Sequence, residues 1–202
     1  MTDSIKDKNF ISLDLELNNA QDGSTPNPKI IQVGISIGNM NQDSEQFLIK
    51  KWYLDPNEPI YPFIEELTGI TDNDIKNYAV PHSQCALELS ELIQEYKPFI
   101  NPIVWGGGDS VELLSEFRER DIHFPHFGRR WIDVKTIFTY LRWSKGTSGA
   151  KSSLNSGLAA FKMKFQGIPH RADDDAFNTL RLFFKMLERQ LTIEEFVADI
   201  RA

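Results

Sequence analysis

A chain of 202 residues with 41% hydrophobic and 25% charged side chains is long enough to bury a sizeable core and fits one globular domain. Its net charge of −7 argues against a uniformly basic nucleic-acid binder, and no apolar run approaches the roughly 20 residues needed to span a bilayer. Cys85 is the only cysteine, so no internal disulfide can form; its helix-like surroundings predict a buried thiol, and the polar start Met1-Thr2-Asp3-Ser4 predicts a soluble cytoplasmic protein.

Residues 10–17 alternate with period two, placing Leu13, Leu15 and Leu17 on one face of a strand and Ser12, Asp14 and Glu16 on the other. Residues 18–29, rich in Asn, Asp, Gly, Ser and Pro, read as a loop, and 30–37 and 45–54 as two further strands of a meander. A short helical region over 62–76 is interrupted at Leu67-Thr68-Gly69-Ile70-Thr71, and 83–96 has helical spacing. Residues 102–105 form a short buried strand that ends in Gly106-Gly107-Gly108-Asp109, with a helix over 111–120. Residues 131–134 read as a fifth strand running into a helix through Arg142. Residues 144–153 are a mobile Gly/Ser/Lys loop, followed by helices over 154–164 and 172–190. Thr192, with Glu195 three residues on, forms a capping box that predicts one last short helix. Three strands followed by alternating helix and strand indicate an α/β layer fold with a mixed sheet.

The net charge conceals an asymmetry. Residues 1–100 hold seven lysines and no arginine against sixteen acids, whereas residues 129–172 hold nine basic side chains against Asp133 alone, a local charge of +8. An anionic partner would meet that segment.

Asp14 and Glu16 share one face of a central strand, where leaving both ionised and unpaired costs several kcal/mol, and a cation is the simplest remedy. Solvent exposure of that face is the plain alternative. Asp109 follows three glycines at a strand end and reads either as a further acid of the same site or as an ordinary helix N-cap. Pro169-His170-Arg171-Ala172-Asp173-Asp174-Asp175-Ala176 crowds three acids at a helix start behind a histidine. Asp173 and Asp174 are assigned to capping and solvent, because a helix N-terminus favours acids. Asp175 lies beside the inward-facing Ala176 and can point towards the sheet. A histidine such as His170 can accept a proton near neutral pH where it lies over the site, and reads otherwise as a surface residue of a loop.

Together these elements resemble the DEDDh 3′-5′ exonuclease family, over almost the whole chain. Asp14-Leu15-Glu16 looks like its first motif, Asp109 its second, and His170-Arg171-Ala172-Asp173-Asp174-Asp175-Ala176 its third, H-x-A-x-x-D-A. Trp105-Gly106-Gly107-Gly108-Asp109 and Leu67-Thr68-Gly69-Ile70-Thr71 look most like the Eri-type exoribonuclease branch. The resemblance implies a ribonuclease H-like fold, a five-stranded mixed sheet flanked by helices, as a single exonuclease domain over residues 1–202. It implies two Mg²⁺ ions, replaceable by Mn²⁺, with Asp14 bridging them, Glu16 and Asp175 on the first, Asp109 on the second, and His170 as general base. The expected partners are the 3′ ends of single-stranded nucleic acid, with no membrane.

Substrate contacts are expected at Leu17, Leu67, Thr68 and Trp105, and at Lys145 and Lys151 of the loop over 144–153, where Arg129 or Arg130 would help to hold upstream phosphates. Leu17-Asn18-Asn19 stands where many relatives carry a small residue, and Leu67 reads equally as a core leucine in a turn. An internally cutting nuclease and a nucleic-acid-binding protein without catalysis are the competing readings, and the choice between RNA and DNA stays open.

Overall fold

The computed structural model describes residues 4–123, 127–144, 146–147 and 152–201. Strands β1 (Phe10–Asn18), β2 (Lys29–Gly38) and β3 (Leu48–Tyr53) form the expected antiparallel meander. β4 (Ile103–Val104) and β5 (Ile132–Asp133) add parallel strands on the other side of β1, giving a five-stranded mixed sheet in the order β3-β2-β1-β4-β5. β1 is therefore central and covered on both faces. On one face Ile11, Leu13 and Leu15 pack with Cys85, Ala86 and Leu89 of α3 (His82–Tyr96) and with Leu113 and Phe117 of α4 (Asp109–Glu119).

The other face carries Phe10, Ser12, Asp14 and Glu16 and lies under α7 (Ala172–Arg201). Here Phe10 and Ile103 meet Phe177, Leu180 and Phe184 of α7, Val134 and Phe138 of α5 (Val134–Trp143), and Leu154 and Leu158 of α6 (Leu154–Ala160). Ser12 is fully buried and satisfied, its hydroxyl donating to the Ile103 carbonyl at 3.1 Å. α7 comes so close to β2 that a Cβ on Gly34 would overlap the backbone of Ala172 and Asp173. Gln32, also fully buried, accepts the Ala172 N–H at 2.8 Å.

The pairing of β1 with β2 shifts beyond Glu16, which faces Gln32 while Leu17 faces Ile30. This bulge sends Ile31 into a separate cluster with Ile60, Ile64, Ile70 and Ile75 around α1 (Pro62–Thr68) and α2 (Asp72–Tyr78). α1 opens with Pro62 and ends at Gly69 in the left-handed conformation, and α2 opens with a Thr71/Asp74 capping box, which accounts for the interruption expected there. Buried Glu116 accepts the Ile30 N–H at 2.8 Å and lies 2.9 Å from His82 Nε2, pinning the bulged strand to α4.

Three local readings are corrected. No helix starts at Thr192: α7 runs through it, and the Thr192 hydroxyl donates back to the Glu188 carbonyl at 3.0 Å instead of capping. α6 stops at Ala160 and not at 164, because Lys162 takes a positive φ of 59°. β3 begins at Leu48, after a 3-10 turn over Ser44–Gln46. Cys85 is buried as expected, with its thiol pushed up to about 12 by burial and the nearby Glu88. Among the described residues no helix is long and apolar enough to cross a membrane.

Candidate metal centre and its surroundings

The structure brings Asp14, Glu16 and Asp175 together, with one carboxylate oxygen from each within 4.8 Å of the others. Two of them come from alternate positions of β1 and the third from the first turn of α7, as a period-two strand facing a helix start dictates. Asp109 lies outside this triad but beside it, since its charge acts on Asp14 more strongly than that of Glu16 or Asp175. It is the first residue of α4 and not a cap, the N-cap being Gly108 at φ 134°. A second aspartate, Asp133, sits next to Asp109; it caps α5 by accepting from Thr136 and also takes the Gly106 N–H at 3.0 Å.

All four acids hold their protons too tightly for ordinary carboxylates. Burial comes first in each case. Asp14 is driven well up by burial and then by Asp109, Glu16 and Asp175. Glu16 is raised to about 8 by burial and Asp175, with Arg171 opposing. Asp109 is raised to about 7 by burial and Asp133. Asp175 is raised to about 6 by burial, its hydrogen bond from the His170 N–H and the His170 charge opposing. Four half-buried or buried carboxylates, opposed only in part by Arg171 at Glu16 and His170 at Asp175, are unstable as anions. The all-oxygen donor set, without cysteine or histidine inside it, suits a hard divalent cation.

His170 stands at φ 62° on an exposed loop, and its backbone N–H donates to Asp175 Oδ2 at 2.7 Å. That loop is stitched to α7 along its length. Ile168 N–H donates to Asp174 at 2.8 Å, and fully buried Asn178 accepts the Gln166 N–H at 3.1 Å while donating to the carbonyls of Gln166 and Asp174, both at 2.7 Å. Arg181 donates to the Lys164 carbonyl at 3.3 Å. The Arg171 guanidinium, next to His170, donates to the Tyr53 hydroxyl at 3.1 Å and the Gly69 carbonyl at 3.0 Å.

Asp173 is not a solvent-facing cap. It is buried and ion-paired with Lys51 of β3 at 2.8 Å, because α7 comes into backbone contact with β2 at Gly34, whose register partner on β3 is Lys51. Asp174 does bond to its own loop, as expected of a residue at a helix start.

The expected substrate contacts are spread more widely. Leu67 is 39% exposed, but the Thr68 hydroxyl is buried and spent inside its own turn, donating to the Ile64 carbonyl and accepting the Ile70 N–H. Leu17 is half-buried against the core, and Trp105 is half-buried against Phe138 and Gly157. Lys145 and Lys151 lie outside the described residues. Arg129 and Arg130 are exposed in the segment that leads into β5, between the bond from the Gly128 N–H to the Ile100 carbonyl and that from the Ile132 N–H to the Pro102 carbonyl.

Sequence reasoning missed Gly34, Gln32, Asn178 and Arg171 as positioning residues. A lone glycine inside a strand pattern signals close backbone approach, so Gly34 was there to be found. The others act through partners more than 100 residues away (Gln32, Arg171) or through a loop whose path has no local signature.

The chain is 27% identical over 205 residues to ERI1 exoribonuclease 2 of Xenopus laevis, covering 88% of the chain and 28% of that protein. It superposes on a full-length 3′-exonuclease with a TM-score of 0.78 at 18% identity, covering 94% of this chain and 63% of that one. It also superposes on the nuclease domain of 3′hExo, a DEDDh family member bound to rAMP, with a TM-score of 0.75 at 19% identity, covering 93% and 95%. At such identities the superpositions establish the ribonuclease H-like fold, and the chain spans little more than a quarter of its curated relative. The RNase_T exonuclease family model matches residues 11–183, from the strand that carries Asp14 to the helix that carries Asp175, and the chain belongs to that family, in its DEDDh group.

Proposed function

We propose that the chain is a metal-dependent 3′-to-5′ exonuclease that hydrolyses the terminal phosphodiester of single-stranded RNA or DNA and releases nucleoside 5′-monophosphates. The observation that carries the reading is the convergence of Asp14, Glu16, Asp175 and Asp109 into one acidic centre beside His170. The exoribonuclease name of the curated relative and the rAMP bound by the 3′hExo nuclease domain favour RNA over DNA.

Asp14, Glu16 and Asp175 would hold one divalent cation and Asp14 with Asp109 a second, Mg²⁺ by preference with Mn²⁺ able to replace it. Such ions supply charge stabilisation at the attacking and leaving oxygens of an in-line displacement. The chain's own residues do the rest. His170 takes the proton of the attacking water on a ring nitrogen. Its place is set by the backbone bond to Asp175, so the base and a metal-holding acid move as one piece. The bond broken joins the terminal phosphorus to the 3′ oxygen of the preceding nucleotide, which leaves as the new 3′ end. Leu67, exposed beside the Gly69 turn that Arg171 grips, offers an apolar surface to the terminal base.

The test is a digestion time course of matched single-stranded RNA and DNA, with free or blocked 3′ ends, in Mg²⁺ and in EDTA. Mononucleotides bearing 5′-phosphates should accumulate from free ends only, and EDTA should stop their release. Internal fragments from blocked strands would replace this reading by an internal nuclease, and intact strands throughout would leave a binding protein.

A further inference from the structure

The solvent-facing side of α5 is not built like a surface helix. Thr136, Ile137, Tyr140 and Trp143 fall on one face, opposite the buried Val134, Phe138 and Thr139. Ile137 is 39% exposed, Tyr140 67% and Trp143 62%, and no charged residue interrupts them. The outward face of such a helix ordinarily carries charge. The helix has Lys135 and Arg142 and no acid between Val134 and Trp143.

The head of this face adjoins the acidic centre. Asp133, the N-cap of α5, accepts the Gly106 N–H, and the Lys135 side chain lies against Gly106, three residues before Asp109. From Asp133 the helix carries the aromatic side chains away for about 15 Å, at roughly 1.5 Å per residue.

We propose that Ile137, Tyr140 and Trp143 form a base-stacking track for the single-stranded nucleic acid upstream of the scissile bond. The inference rests on the exonuclease reading for the identity of the strand. Every base has a π-face, so exposed Tyr and Trp rings give a grip that tolerates any sequence, and with no acid on α5 nothing on this face repels a phosphate backbone. A second copy of the chain fits less well. Side chains of this kind bury about 150–250 Å² each, and three of them, only partly exposed, fall short of the roughly 800 Å² per partner of a stable dimer.

The experiment compares fluorescence-anisotropy titrations of labelled ten-nucleotide and three-nucleotide single strands, in EDTA so that no turnover intervenes. Tyr140→Ala with Trp143→Ala should reduce the decamer-to-trimer affinity ratio by about tenfold or more, as the loss of two stacked bases implies. Tyr140→Phe with Trp143→Phe keeps both rings and should hold the parental ratio. The proposal is overturned if the alanine pair keeps the ratio or if the phenylalanine pair loses as much as the alanine pair. It is equally overturned if sedimentation shows a parental dimer that the alanine pair dissociates. Because binding is read without hydrolysis, a length-dependent grip in a chain that digests nothing would sink the exonuclease reading and leave the track standing.

Discussion

Gly34→Ala is the sharpest test of how the fold positions the site. A Cβ at this position meets the carbonyl carbon and oxygen of Ala172 and the nitrogen of Asp173, all backbone atoms that no rotamer change can move aside. Ordinary carbon contacts lie near 3.5–4.0 Å, so the start of α7 must retreat from β2 by more than about 1 Å. Overpacking of this kind costs about 1–3 kcal/mol, and in a chain of this size each kcal/mol lowers Tm by roughly 2–4 °C. The larger effect falls on catalysis. Asp175 and the His170 loop ride on that helix turn while Asp14 and Glu16 stay on β1, and a misplacement of about 1 Å can lower a rate by about 100-fold. Single-turnover hydrolysis of a short 3′-ended strand in Mg²⁺, paired with thermal melting, reads both. A variant that folds, melts a few degrees lower and retains a rate within about threefold of the parent would refute the reasoning.

The remaining predictions concern the acids and the loop. Asp14, Glu16 (about 8), Asp109 (about 7) and Asp175 (about 6) all keep protons in the folded chain that carboxylates near pH 4 release when unfolded. Metal-free stability should therefore fall as pH rises from 5 to 9, and Mg²⁺ added at pH 8 should restore it; a melting temperature that climbs over this range without metal contradicts the assignment. Asp14→Asn should raise the melting temperature of the metal-free chain at pH 8 yet abolish Mg²⁺-dependent hydrolysis, and near-parental turnover in a metal titration would remove Asp14 from the site. His170→Ala should lose about 10²- to 10⁴-fold in rate at neutral pH with substrate binding retained and partial recovery at high pH, whereas an unchanged pH profile would make it an ordinary loop residue. Asn178→Ala leaves the Gln166 N–H and C=O and the Asp174 carbonyl without their side-chain partner, at a cost of about 1–3 kcal/mol, and should lower kcat more than it raises KM; a rise in KM alone would mean that the loop does not position His170.

What was legible in the sequence depended on whether the signal was local. The period-two run through Asp14 and Glu16, the glycine turn before Asp109 and the apolar spacing behind Asp175 named the strands and helices that meet at the centre. Their order along the chain then implied the mixed sheet. Asp173 misled because an acid at a helix start has a sufficient local explanation, while its partner Lys51 lies 122 residues away on β3. Thr192 misled for the opposite reason: its capping box is a valid local stop and start, but a helix already extended along the sheet simply continues through it.

The three residues after His170 are held by contacts of long reach. Arg171 bonds to positions 118 and 102 residues back, Ala172 to one 140 back and Asp173 to one 122 back. Contacts of such sequence separation close long loops, whose entropy cost must be met before the contacts stabilise anything. Arg171 serves the Tyr53 hydroxyl and the Gly69 carbonyl with two nitrogens of one planar fork, a grip that a lysine cannot reproduce. Until α7 docks on β1, β2 and β3, the His170 loop that is stitched to its first turns has no fixed place beside the acids of β1. A chain in which α7 has not docked thus carries Asp14 and Glu16 without Asp175 or the His170 loop beside them, and the acidic centre is complete only in the finished fold.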